Sequence, residues 1–230
     1  MIDGKRVLGL VPARAGSQGL PGKNMRPLAG RPMIGWTLAA GQASTTIDRL
    51  VVTTDDDAVI ALATEMAVET VRRPAALADA KASVIDAIDH ALAELGGEWD
   101  YVVLLQPTSP LRTADDIDGA VSLCHDCSAP SVIGVSPMPK PPGFYGSVSP
   151  DGRWVRNEPN PDEAVIINGA VYVGRPDVLR RDRSFQSDGT LAFTLPPERG
   201  WDVDTLFDFI VCEALWPHAQ SGDALGGVRR

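Results

Sequence analysis

Short apolar runs alternate with amphipathic stretches along most of the 230 residues, and this alternation constrains the fold more than any other feature. "RVLGLV" (6–11), "RLVVTT" (49–54) and "YVVLLQ" (101–106) have the near-continuous apolar or β-branched character of strands buried on both faces. Each is followed by a helical pattern: "PMIGWTLAAGQAS", "AVIALATEMA" and "TADDIDGAVSLC", the last with Thr113 as its N-cap. "VIDAIDHALAEL" (84–95) sets Val84, Ile88, Ala91 and Leu95 on one face at helical spacing. Strands alternating with helices in this way predict an α/β domain, a mostly parallel sheet with helices on both faces. The length suits one such domain spanning 1–230 with a sizeable core.

The texture changes near residue 136. "SPMPKPPGFYGSVSPDGRWVRNEPNPDEA" holds seven prolines and no helical period. It reads as an excursion over 136–165, with a hairpin around Pro150, Asp151 and Gly152. Inside a compact domain, a segment of this kind serves as a lid, an acceptor-binding loop or a subunit contact. "AVIINGAVYVG" (164–174) and "TLAFTLP" return to strand character, and "WDVDTLFDFIVCEALW" closes with a carboxylate pair and an amphipathic helix.

Charge narrows the function classes. A net charge of −9 argues against a nucleic-acid binder, which needs a basic surface to displace counterions. Nothing approaches a membrane-spanning run, and the N-terminus lacks the pattern of a signal peptide, so a cytoplasmic protein is expected. Three cysteines (124, 127, 212) form no disulfide framework, and "CHDC" has no second pair at zinc-ligand spacing. These are read as reduced residues. Three scattered histidines argue against a histidine-based metal site or triad.

Against that acidic background the first 31 residues carry Lys5, Arg6, Arg14, Lys23, Arg26 and Arg31, with Asp3 as their one acid. A solvated charged face accounts for some of the six, but poorly for Arg14 and Lys23. Both sit in the Gly/Pro loop "LVPARAGSQGLPGKN" (10–24), directly behind the first strand. Glycines let backbone N–H groups approach a phosphate closely, Arg14 offers a planar fork, and Lys23 a point charge. The spacing is neither a Walker A loop nor a dinucleotide fingerprint. A small anionic ligand is expected, of which a nucleotide triphosphate is one form.

At the other end of the chain, Asp202 and Asp204 stand at i and i+2, which on an extended segment places both carboxylates on one face. Such oxygen ligands suit Mg²⁺, completed by substrate phosphates and water. The competing structural reading is a helix N-terminal cap ahead of "LFDFIVCEALW", a duty one of the two acids is expected to share. Asp208, one turn on, either supports the pair or is a surface acid.

Several blocks, in order, resemble one family. "LVPARAGSQGLPGKNMRPLAGRPMIGWTLAAGQAS", "IDRLVVTTDDDAVIALA", "RPAALADAKAS", "LLQPTSPLRTADDIDGAV", "NGAVYV" and "WDVDTLFDF" are similar to the signature of the acylneuraminate cytidylyltransferases, the CMP-sialic acid synthetases and their relatives. The likeness runs from about residue 7 to 213. It implies a nucleotide-diphospho-sugar transferase-like α/β fold, Mg²⁺, and a reaction in which CTP loses pyrophosphate as CMP passes to a sugar acid. By resemblance, Ala13, Arg14, Ser17, Gly19, Lys23 and Asn24 hold the triphosphate. Arg73 helps read the cytosine, and the backbone around Ala82 and Ser83 closes on that base. Gln106 faces the acceptor, and Asp202 and Asp204 hold the metal; Asn168 and, by its charge rather than by the likeness, Lys140 are further acceptor-side candidates. Arg14 and Lys23 together with Asp202 and Asp204 form the implied catalytic set. The family's members are commonly homodimers, and the excursion is the candidate contact.

Two departures bear on the acceptor. Family loops commonly read "GSKG", whereas Gln18 stands here for the cation. Sialate-activating members carry an arginine-bearing stretch before "NGA", and here the matching stretch is the acidic "NEPNPDEAVII". Lys140 and Arg156 could supply the missing charge. The acceptor therefore stays open between a nonulosonic acid and a phosphonate or other small anion. A third block, "RPAALADAKAS", differs from the usual "RPAELASDTAS" at Asp79 and Lys81, a change that base contacts made by backbone groups would tolerate. A glycosyltransferase, which would not need a triphosphate loop, and a nucleotide-binding regulator without activity are the rival readings.

Overall fold

Strand β1 (Val7–Ala13) lies in the interior of a seven-stranded sheet, flanked in parallel by β2 (Arg49–Thr54) and β4 (Tyr101–Leu104). The computed structural model describes residues 2–16, 19–77, 83–140, 142–156 and 164–221. Beyond β2 lies β3 (Glu69–Arg72), and beyond β4 lie β6 (Val165–Gly174), β5 (Ser131–Pro137) and β7 (Leu191–Thr194). The order is β7-β5-β6-β4-β1-β2-β3, and β6 alone runs antiparallel to its neighbours. The mostly parallel sheet expected from the alternation is therefore present.

Side-chain alternation divides the core into two layers. Leu8 and Leu10 of β1 and Val102 and Leu104 of β4 meet Ile85, Ile88, Ala91 and Leu92 of α3 (Val84–Leu95) and Leu179 of α5 (Pro176–Asp182). Val7, Val11 and Val103 face the other way. They pack with α1 (Met33–Ala43), α2 (Asp57–Glu65) and α4 (Ala114–Asp126) through Ile34, Leu38, Val59, Ala63, Ile117 and Val121. These residues are almost wholly buried, each Val, Leu or Ile side chain among them stabilising the fold by about 1.5–3 kcal/mol relative to exposure.

Local chemistry sets the helix starts. Thr113 accepts from the Asp116 N–H while the Asp116 carboxylate accepts from the Thr113 N–H, the capping box that opens α4. Ser83 and Asp86 do the same for α3. Three elements escape the sequence patterns: β3, β5 and α5. Cys124 and Cys212 are buried, Cys127 is exposed, and all three are free thiols. Among the described residues no helix is long and apolar enough to cross a membrane.

A third apolar cluster brings the two ends of the chain together. Phe209 and Cys212 of α6 (Leu206–Ser221) pack with Leu20, Leu28 and Met33, and the Trp36 and Trp216 rings meet at a 46° tilt with centroids 4.0 Å apart. The C-terminal helix thus lies on the segment directly behind the glycine loop. In the excursion, Gly146–Val148 pairs with Trp154–Arg156 as an antiparallel hairpin, its turn at 149–152. That is the hairpin expected around Pro150, Asp151 and Gly152.

Candidate active site

In an open α/β sheet, ligands bind where strand order reverses, outside the carboxyl ends of the strands. Here the reversal lies between β1 and β4. A cleft of about 440 Å³ opens at that point, lined by Pro12, Arg14, Gly19, Lys23, Asn24, Gln106, Pro107, Thr108, Asp202 and Asp204. Residues at both ends of the chain meet there.

The loop is pinned before it reaches the cleft. Asp55, just past β2, accepts the Ala15 N–H at 2.9 Å, and the buried Asn24 donates to the Arg14 carbonyl at 3.4 Å. Gly19 answers to close approach: a Cβ there would stand 2.4 Å from the Asp204 carbonyl oxygen. The Lys23 ammonium, with its side chain 11% exposed, donates to the Val203 carbonyl at 2.9 Å and to Asp204 Oδ1 at 2.7 Å. Ser17 and Gln18 lie outside the described residues. Of the six early cations, Arg14 and Lys23 line the cleft. Arg6, Arg26 and Arg31 instead stack on Trp99, Phe209 and Trp36 at 4.3–5.0 Å, and Lys5 pairs with Asp100 at 3.0 Å.

Asp202 and Asp204 both face the cleft, in different surroundings. Asp204 is open to solvent, with its side chain 71% exposed. Asp202 has Oδ1 buried without a hydrogen-bond donor. Burial pushes the Asp202 carboxyl up, and the charges of Asp204 and Asp208 add to the rise. Thr108 and Lys23 pull the other way without reversing it. Neither acid is the helix cap. Thr205 takes that part: Asp208 Oδ2 accepts from the Thr205 N–H at 2.8 Å, and Thr205 Oγ1 accepts from the Asp208 N–H at 3.2 Å. The expectation that Asp202 or Asp204 doubles as the cap is corrected accordingly, because a hydroxyl at N-cap and a carboxylate three residues on satisfy the free N–H groups between them. Asp208 is the support for this turn.

A hydrogen-bond acceptor buried with no donor, beside a second exposed carboxylate, suits a hard divalent cation. Among the described residues no group of three or more His, Cys, Asp or Glu is placed to hold a metal ion, so the described part of the cleft offers such an ion two carboxylates. That matches Mg²⁺, which takes one or two carboxylates and fills its remaining positions with phosphate oxygens and water.

The remaining expected residues are placed unequally. Arg73, 7% exposed, follows β3 and donates to the Thr53 carbonyl at 2.9 Å. Burial lowers its pKa, the Asp55 charge raises it and the Arg14 charge lowers it, which puts all three groups in one electrostatic neighbourhood. Gln106 lines the cleft, and Gly169 (φ +75°) lies against its side chain, where a Cβ would stand 2.7 Å from Oε1. Asn168 is buried below that bend, its amide donating to Ser136 Oγ at 2.9 Å and accepting from the Ala170 N–H at 3.0 Å. Ser83 is committed to its capping box, and Lys140 is exposed in the excursion, away from the cleft lining. Ala82 lies outside the described residues.

One residue was not singled out by the sequence patterns. Arg112, 2% exposed, donates to the carbonyls of Gln106 and Ala170 and, at 3.0 Å, to Thr37 Oγ1. Burial lowers its guanidinium to about 9, opposed by the charges of Asp116 and Asp202, and it stays charged at neutral pH. It ties the turn after β4, strand β6 and helix α1 together behind Gln106.

The sequence and fold of this chain have close parallels. A family model described as "Cytidylyltransferase" matches residues 8–132. The chain belongs to the cytidylyltransferase family. It is 32% identical over 223 residues to a CMP-N,N'-diacetyllegionaminic acid synthase of Legionella pneumophila, covering 91% of this chain and 96% of that protein. It is also 32% identical over 213 residues to an N-acylneuraminate cytidylyltransferase of Streptococcus agalactiae serotype III, covering 87% of this chain and 51% of that longer protein. Among solved structures, a CMP-2-keto-3-deoxy-manno-octonic acid synthetase complexed with CTP overlays with a TM-score of 0.71 at 19% identity, over 93% of this chain and 99% of that one. A 4-diphosphocytidyl-2C-methyl-D-erythritol synthase from Anaerococcus prevotii gives 0.66 at 15% identity, over 93% and 96%. At those identities the likeness concerns the fold, which is nucleotide-diphospho-sugar transferase-like. As a member of the family, this cytidylyltransferase is a CTP-dependent nucleotidyltransferase.

Proposed function

We propose that this cytidylyltransferase moves CMP from CTP to a nonulosonic sugar acid and releases pyrophosphate. One observation carries the reading. Arg14, Lys23, Asn24, Gln106, Asp202 and Asp204, drawn from both ends and the middle of the chain, line one cleft at the strand-order reversal. The names of the sequence relatives, a legionaminic acid synthase and a neuraminate cytidylyltransferase, support this acceptor class.

Arg14, Lys23 and the loop backbone hold the triphosphate, with Asn24 fixing the loop and Arg73 on the side where the base enters. Asp202 and Asp204 would hold Mg²⁺. When bound, the ion supplies charge neutralisation for the triphosphate and the departing pyrophosphate. Gln106, fixed from behind by Arg112 and Gly169, orients the acceptor. The acceptor's anomeric oxygen attacks the α-phosphorus in line, the bond to pyrophosphate breaks, and the hydroxyl proton leaves to solvent. Positioning and fixed charge carry most of the rate. Lys140 and Arg156 are among the cations that the sequence of the excursion offers the acceptor's carboxylate, and a second copy of the chain completes a homodimer.

A pyrophosphate-release assay with CTP and Mg²⁺ tests the proposal. The acceptors are legionaminic-type and neuraminic acids, an eight-carbon keto-sugar acid and simple phosphonates. Turnover is expected with a nine-carbon acid. Turnover confined to phosphonates would replace the acceptor class, and no turnover with any acceptor would overturn the reading.

A further inference from the structure

Lys23 and Asp204 are bonded to each other at 2.7 Å, although the proposed reaction asks each for a different partner. A lysine ammonium has three donors, and two of these are spent inside the protein, on Asp204 and on the Val203 carbonyl. A triphosphate approaching the loop meets a cation already neutralised. A divalent ion approaching Asp202 and Asp204 meets a carboxylate whose Oδ1 is taken.

We infer that the Lys23–Asp204 pair is a latch that couples triphosphate binding to metal binding. The inference rests on the reading of this cleft as the CTP site. Metal capture of Asp204 releases Lys23 to the phosphates, and phosphate capture of Lys23 releases Asp204 to the metal. Each ligand removes a cost that the other would bear, and by linkage the benefit is equal in both directions. The coupling would add to the charge attraction between a bound ion and the phosphates.

The surroundings confine the change to side chains. The Thr205–Asp208 capping box holds the backbone just after Asp204, and the Asp204 carbonyl sits where any side chain on Gly19 would fall. The Lys23 stem is nearly buried, whereas the Asp204 carboxylate is 71% exposed and free to swing. Opening the latch therefore costs one partly screened ion pair. Pairs of that kind are worth a factor of about two to five.

A double-mutant cycle isolates the latch. CTP affinity is measured by calorimetry in EDTA for the wild type, Asp204→Asn, Lys23→Gln and the double variant. Glutamine keeps an N–H for the Val203 carbonyl, and circular dichroism confirms that each variant folds. Asp204→Asn is expected to tighten metal-free CTP binding about threefold when Lys23 is present, and by a clearly smaller factor in the Lys23→Gln background. Mn²⁺ binding to the nucleotide-free protein, followed by paramagnetic resonance, is expected to tighten about threefold in Lys23→Gln. Equal factors for Asp204→Asn in both backgrounds would reduce the effect to plain repulsion and overturn the latch. A wild type that binds no CTP even with Mg²⁺ would overturn the nucleotide site itself, a failure distinct from additivity in the cycle.

Discussion

Asp202 carries its carboxyl into surroundings that penalise the charge. The folded protein holds its pKa above the ordinary aspartate value, first through burial and then through Asp204 and Asp208. For an acid the sign is clear. The ionised form costs stability at pH values above the raised pKa, and the cost fades as pH falls to the unfolded value of about 3.9. Asp202→Asn keeps the shape and deletes the charge. Without metal at pH 7 it is expected to melt about 2 °C or more above the wild type, the scale of roughly 1 kcal/mol in a domain this size. The gain should disappear near pH 4, and CMP transfer should be lost. A variant that melts lower and still turns over would contradict both the burial argument and the metal assignment. Asp202 was legible in the sequence because its spacing to Asp204 is local, as were Arg14 and Lys23, charges set in a Gly/Pro loop. Arg112 was not, because its meaning lies in Thr37, Gln106 and Ala170, which only the fold gathers. The basic island was legible as charge but not as geometry, since three of its arginines serve aromatic rings.

At the scale of elements, the start of α6 decides where the acid pair sits. Its cap is Thr205, with Asp208 closing the box, and the Phe209 N–H bonds to the Thr205 carbonyl at 3.1 Å. Thr205→Ala removes the hydroxyl, a loss of about 0.5–2 kcal/mol by denaturant unfolding. Because Asp204 directly precedes this cap, a metal-dependence curve for CMP transfer should also shift to higher Mg²⁺, and Thr205→Ser should restore both. An unchanged curve in a destabilised Thr205→Ala would show that the cap does not position the pair. The helix was legible from its period, but its first residue was not, because two further acids stood beside the real cap as rivals. The missed strands have similar local causes. In β3, "ETVR" buries only Val71 fully, as an edge strand does, so no apolar run marks it. In β5, Gly134 interrupts the run because a side chain there would meet Asn168 Oδ1 at 2.8 Å. In α5, "PDVLRRD" is too short for a period, and only Val178 and Leu179 anchor it.

At the scale of the whole molecule, exposed apolar surface is concentrated in one region. Among the described residues ten large hydrophobics are exposed, and seven of them, Phe144, Val148, Trp154, Val155, Val165, Ile166 and Ile167, fall within 144–167. Three consecutive exposed positions in β6 cannot result from alternation, which hides every second side chain. They mark the part of the β5–β6 pair that runs beyond β4, which pairs with β6 only at 172–174. Large apolar side chains left exposed together along one stretch of a chain are the mark of an association site. A second copy would satisfy it, because a two-fold contact brings the same patch from both partners. The mass in solution is expected to be about twice the 24.4 kDa of one chain by light scattering. Trp154→Glu and Ile166→Glu place charges in the patch and should shift the mass toward one chain. Binding of CTP with Mg²⁺ should persist in these variants, since every residue lining the cleft lies outside 144–167. Acceptor turnover should fall if the partner's excursion completes the acceptor side, so the ratio of lost turnover to retained nucleotide binding measures what the second subunit contributes. A wild-type mass near that of one chain at micromolar concentration would leave the patch without its partner and overturn the dimer.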